Sequence, residues 1–144
     1  MKTRLIAAAV AACSLFGVAS AQAGTVYYWY TGGRVVMPWG NGVTPVLSVT
    51  IPKGNWGITA KASPVFTGGM EIIRCGIYVA GSLVDQSAVQ VGSMNGGPLV
   101  GTLSSQWVGS FSQPTVVTLG CTHDDYNYSG MYIDPGASMI FTAF

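Results

Sequence analysis

Past residue 23 the sequence is cut into short alternating runs of β-prone residues by glycine, proline and asparagine, and few runs repeat apolar residues at helical spacing. That pattern is the signature of an antiparallel sandwich or barrel rather than of a bundle or an α/β layer. Val26 to Thr31 precedes Gly32-Gly33 and Arg34 to Met37, and two glycines between β-prone runs signal a tight hairpin. Asn41-Gly42 marks another turn. Val46 to Ile51 ends at Pro52-Lys53-Gly54, a type I pattern, and Trp56 to Lys61 follows. Gly68-Gly69 introduces Glu71 to Ala80. Leu83 to Val91 comes next, broken near Gln86-Ser87. Asn95-Gly96-Gly97-Pro98 reads as a loop before Leu99 to Leu103, Gln106 to Phe111 and Thr115 to Cys121. His123 to Pro135 is the most polar stretch and reads as a loop, and Ser138 to Phe144 as a closing strand. The expectation is an all-β, jelly-roll-like sandwich of about nine or ten strands.

Residues 1–23 have the form of a bacterial secretory signal peptide. Lys2 and Arg4 supply the positive start, Leu5 to Val18 the apolar run, and Ala21-Gln22-Ala23 a small-residue cleavage site. Cleavage after Ala23 leaves residues 24–144, one domain, secreted or periplasmic. Val10-Ala11-Ala12-Cys13 has the outline of a lipoprotein box. Cutting there would leave an unusually short apolar region, so Cys13 reads as small apolar filler.

Two cysteines remain, Cys75 and Cys121, and an even count in an exported chain implies a disulfide. Ile73, Cys75, Ile77 and Val79 share one face of their strand, and Val117, Leu119 and Cys121 share one face of theirs. Period two alone therefore places the bridge inside the core. The cysteines are 46 positions apart. Closing a loop of that length stabilises by about 4 kcal/mol in the loop-entropy model, less any strain.

From Gly24 on, the charges are Arg34, Lys53, Lys61 and Arg74 against Glu71, Asp85, Asp124, Asp125 and Asp134. So even a balance leaves no electrostatic footprint for nucleic acid or an anionic membrane, and it favours self-association. No later apolar run reaches transmembrane length.

The stretch from Leu47 to Cys121 resembles exported bacterial proteins with a C1q/tumour-necrosis-factor-like jelly-roll domain. The matching segments are Val49-Thr50-Ile51-Pro52-Lys53-Gly54-Asn55-Trp56-Gly57-Ile58-Thr59-Ala60-Lys61, Arg74-Cys75-Gly76-Ile77, Leu83-Val84-Asp85-Gln86-Ser87 and Val116-Val117-Thr118-Leu119-Gly120-Cys121. Met139 to Phe144 is similar to the last strand of that group. The N-terminal aromatic run departs from its pattern, and no collagen-like stalk is present. The resemblance implies an antiparallel sandwich, a homo-oligomer that would be a trimer, and no enzymatic activity.

Tyr27-Tyr28-Trp29-Tyr30 is the sharpest local feature. On a strand these rings alternate between faces, so one pair, Tyr27 and Trp29 or Tyr28 and Tyr30, turns away from the core. The readings are a strand buried on both sides, a subunit contact, or a glycan platform of Tyr28, Trp29 and Tyr30 joined by Trp39 from its turn-rich segment. Trp56 and Trp107 read as core or sheet-face residues.

His123-Asp124-Asp125 with Asn127 and Asp134 has the oxygen-rich composition of a calcium loop, but lacks the EF-hand order and terminal Glu. Local turns explain the same residues. A hydrolase built on His123 and an Asp lacks a Gly-x-Ser-x-Gly elbow, and a glycosidase needs two carboxylates across a cleft. Zinc is disfavoured by a single His, with both cysteines committed to each other. Glu71 and Arg74 read as rim residues or a cross-strand pair, and Asp85 as a turn or bulge residue. The expected function is a non-enzymatic interaction or structural protein without cofactor or metal, self-associating. The alternative is a carbohydrate-binding module using exposed aromatics.

Overall fold

The structure is a computed structural model, and it describes residues 24–38, 40, 42–94, 97–124 and 130–144. Those residues are all-β. One sheet runs β1 (Val26–Tyr30), β12 (Ser138–Ala143), β4 (Gly54–Ala62), β9 (Leu103–Phe111) in spatial order. The second runs β3 (Thr44–Ile51), β10 (Thr115–His123), β6 (Glu71–Val79), β7 (Ser82–Met94), β8 (Gly97–Leu99). A small third sheet holds β2 (Val35–Val36), β11 (Tyr132–Ile133) and β5 (Pro64–Val65). Every pairing is antiparallel.

The order is nested. β6 pairs with β7, β4 with β9, β3 with β10, and β1 with β12. The chain is thus one long two-ply ribbon whose tip is the β6–β7 hairpin. Wrapping that ribbon so that successive pairs alternate between sheets gives the jelly roll. The tip turn is Ala80-Gly81 between the paired residues Val79 and Ser82. Both turn residues have positive φ, 48° and 84°, the two-residue type I′ geometry that matches strand twist.

The core lies between the two large sheets. Trp56, Ile58, Ala60, Met139 and Phe141 from the first meet Ile51, Ile73, Ile77, Val117 and Leu119 from the second, all buried. Met37, Phe66, Met131 and Ile133, also buried, extend it toward the small sheet. Along β6 and β10 the apolar alternation read from the sequence is the inward face. Cys75 and Cys121 lie directly opposite each other on these neighbouring strands, bonded and buried, with Cα atoms 4.1 Å apart. That spacing belongs to the closely spaced, non-hydrogen-bonded type of antiparallel pair. In agreement, the Ala80 N–H donates to the Val116 carbonyl at 3.0 Å, which puts the hydrogen-bonded positions one residue out of step with the cysteines.

Several sequence expectations change. The stretch from His123 to Pro135 is not all loop: His123 ends β10 and Tyr132–Ile133 is β11. Gly32-Gly33 makes a corner and not a hairpin: β1 pairs with β12 and β2 with β11. The reason is burial, since β1 gains a full ladder and packs Trp29 on Phe141, which β2 cannot offer. β7 runs unbroken through Gln86-Ser87, and the irregularity lies earlier, where Ile77 opposes Asp85 but Tyr78 opposes Leu83, leaving Val84 extra. Gly97 and Pro98 belong to β8. Gly92 lets β7 bend: its φ is +128°, and a Cβ there would collide with the Gly69 carbonyl.

The bridge joins the central strand pair of the second sheet. In the chain from Gly24 onward, unfolding without reductant should expose no titratable thiol. Replacing both cysteines by Ala should lower the unfolding free energy by about 3–4 kcal/mol, read from denaturant midpoints.

Candidate interaction face

β1 settles which aromatics face outward. Trp29 is half-buried, edge-on to Phe141 at 5.4 Å between ring centroids. Tyr27 lies 5.4 Å from Trp29 and 5.5 Å from the buried Trp56. Tyr27 and Trp29 therefore turn toward the core. Tyr28 and Tyr30 stand on the outer side, 59% and 61% exposed, their rings stacked at 5.7 Å and 22°. Trp29 accordingly does not share a face with the two tyrosines it was grouped with. Trp39 lies outside the described residues.

Register extends that face across the whole first sheet. One row reads Val26, Thr142, Gly57, Val108; the next Tyr28, Ile140, Thr59, Gln106; the third Tyr30, Ser138, Lys61, Ser104. Val26 and Val108 are 60% and 66% exposed, and Ile140 is 38% exposed. Lys61 is the one charge in these rows. The outer side of the second sheet differs. Arg74 pairs there with Asp124, and the Ser48 and Thr118 hydroxyls bond at 2.9 Å. Gly120 leaves room for Val43 and Tyr78, whose atoms would come within 2.6 and 2.9 Å of an added Cβ. Partial burial there pushes the Tyr78 hydroxyl pKa up.

Several of the polar residues singled out from the sequence hold backbone groups of the fold. Glu71 is not at the rim. It is buried, and its Oε1 accepts the N–H of Ile72 at 3.1 Å and of Asp124 at 2.8 Å. The carboxylate thus serves two part-buried amides at the strand end, that of Asp124 being shared with the Ile72 carbonyl at 3.3 Å. His123 is buried as well, with Nε2 3.0 Å from the Pro38 carbonyl. A carbonyl only accepts, so Nε2 carries the proton, and Nδ1 is buried without a hydrogen bond to any described residue. This imidazole is held inside the fold, away from any external substrate. Asp85 Oδ2 accepts the Gln106 N–H at 2.7 Å, and the Ser87 hydroxyl donates to the Ser104 carbonyl, so β7 is tied to β9 and one side of the sandwich is closed.

Of the calcium candidates, Asp124 is committed to Arg74, and Asp134, just after β11, donates its N–H to the Ser63 carbonyl at 2.9 Å. Asp125 and Asn127 lie outside the described residues. Among the described residues no three His, Cys, Asp or Glu side chains gather where a metal ion could be held. At the small sheet, Arg34 lies 3.8 Å over the Tyr132 ring and fastens the Gly32-Gly33 corner to β11. No helix among the described residues is long and apolar enough to cross a membrane.

Solved structures that share this fold include several from infectious bursal disease virus. The VP2 subviral particle superposes with a TM-score of 0.55 at 16% identity, covering 85% of this chain and 33% of that one. The virus-derived T=1 particle gives 0.56 at 14%, over 85% and 32%. The virus of the Gx strain gives 0.53 at 17%, over 83% and 32%. Identity this low shows the fold alone, and the chain spans about a third of the length of those proteins. They are viral chains, not C1q-like exported proteins. No protein-family model matches the sequence, and no curated protein does.

The carboxylate's role is open to measurement. Glu71→Leu removes the side-chain acceptor of the Ile72 amide and the nearer of two acceptors of the Asp124 amide, and should cost about 1–3 kcal/mol in urea denaturation. Glu71→Gln keeps an accepting oxygen and should cost about 1 kcal/mol.

Proposed function

We propose that this protein is an exported, non-enzymatic structural or interaction module that works by associating with itself. The observation that carries the reading is the outer face of the first sheet, where exposed Val26, Tyr28, Tyr30, Val108 and Ile140 stand among hydroxyl and amide side chains with the lone charge of Lys61. Val26, Tyr28, Tyr30 and Ile140 are neighbours at the β1 side of this face, with Val108 at its far edge, and an exposed apolar cluster among polar residues is the usual mark of a protein contact. The near balance of charge from Gly24 onward puts no repulsion between copies. The structural neighbours are described as particles, which agrees with a sandwich used for assembly. The buried disulfide suits an oxidising compartment, in keeping with the signal-like first residues. Kinship with C1q-like proteins would make the assembly a trimer.

Light scattering on the oxidised chain from Gly24, across a concentration series, should give a mass above the monomer that rises with concentration. Tyr28→Lys sets charge on the exposed face without touching the core. It should weaken association by about tenfold or more while shifting stability by about 0.5 kcal/mol or less. A wild-type monomer at every concentration would end this reading.

The stacked, outward Tyr28–Tyr30 pair also favours a second reading, a glycan platform. On that reading Tyr30→Ala abolishes retention on polysaccharide columns and leaves the mass unchanged.

A further inference from the structure

β1 ends its sheet on one side, and its ladder to β12 uses every second residue. The Ala143 N–H donates to the Thr25 carbonyl at 2.9 Å, and the Thr31 N–H donates to the Ala137 carbonyl at 2.8 Å. With Tyr27 opposite Phe141 and Trp29 opposite Met139, the odd-numbered residues direct their amides and carbonyls at β12. The N–H and C=O of Val26, Tyr28 and Tyr30 therefore point off the sheet, and no other described residue bonds them there. Their side chains are also the most exposed on the strand.

Sheet edges are normally blunted by charge, proline, bulges or cover. Val26–Tyr30 has no charge, no proline and an unbroken register. The other edges are treated differently. β9 is closed by Asp85 and Ser87, β3 contains Pro45, and β8 is three residues long with Pro98 among them. A copy of this chain thus meets its open, uncharged β1 with nothing better matched than β1 itself.

Resting on the self-association reading, we propose that β1 pairs antiparallel with β1 of a second copy, about a two-fold axis through Tyr28, joining the two first sheets into one continuous sheet. The match is self-complementary. Tyr28 falls opposite itself and Val26 opposite Tyr30, so every amide left free by β12 meets a carbonyl. No like charges are brought together, because β1 has none. On the inner side Tyr27, 37% exposed in the single chain, falls opposite Trp29 of the second copy and gains cover. An isologous contact of this kind closes at the dimer.

Tyr28→Pro tests the pairing on the intact chain from Gly24. The N–H it removes is one that points off the sheet, so the ladder to β12 survives, and proline is tolerated on such an edge. The variant should keep its circular dichroism spectrum and lose dimerisation by about tenfold or more, while Thr59→Lys, at the centre of the sheet face, should dimerise as wild type does. Association of Tyr28→Pro at wild-type strength, or loss of it in Thr59→Lys alone, would overturn edge pairing and leave self-association through the face. A wild-type trimer would do the same; a wild-type monomer overturns both. Should Tyr28→Pro fail to fold, the two-fold axis gives an independent check. A Tyr28→Cys variant should oxidise to a covalent dimer as concentration rises, and a Thr59→Cys variant should not. Absence of that cross-link overturns the proposal.

Discussion

The antiparallel register between two distant halves of the chain is the constraint on which this structure depends. All four long ladders of the ribbon obey it, from Val26 opposite Thr142 to Val79 opposite Ser82. Such pairings lose loop entropy before they gain contacts, and a slip of one residue would turn every core side chain outward. The Cys75–Cys121 bond fixes the register at the middle of the second sheet, between β6 and β10. β7 is then held by its two-residue turn, and β3 by the other side of β10. The bridge and the inward alternation on either side of it are one device: each is in register only if the other is.

Poverty of charge governs the rest. Several of the few ionisable side chains hold backbone or each other. Glu71 serves two amides, Asp85 ties β7 to β9, and Arg74 pairs with Asp124. Little charge is left for the outer face of the first sheet. That face and its open edge on β1 therefore follow from the same economy of charge that builds the interior, and they are the surfaces on which a partner gains most. The buried His123 fits this picture, bonded to a backbone carbonyl and removed from solvent.

The fold class and the disulfide were legible because both rest on period two. Alternation along Ile73-Cys75-Ile77 and Val117-Leu119-Cys121 reports one face directly. Partner choice was not legible. Gly32-Gly33 signals a change of direction, but which strand β1 joins is decided by Phe141 and Trp56, far off in sequence. Glu71 looked like a rim charge because its acceptor role depends on amides, Ile72 and Asp124, that sequence spacing does not bring together. For the aromatic run, alternation gave two mutually exclusive pairs, and only the contact of Trp29 with the core chose between them. Ala80-Gly81 was hidden for a local reason: Ala seldom adopts the positive φ it holds here.

The edge of β1 is the most direct place to test the account. Amide hydrogen exchange should be followed residue by residue at low and high protein concentration. The amides of Val26, Tyr28 and Tyr30 should exchange freely when dilute and become protected on concentration, while those of Tyr27 and Trp29, already bonded to β12, stay protected throughout. Free exchange at all three positions at every concentration would contradict edge pairing.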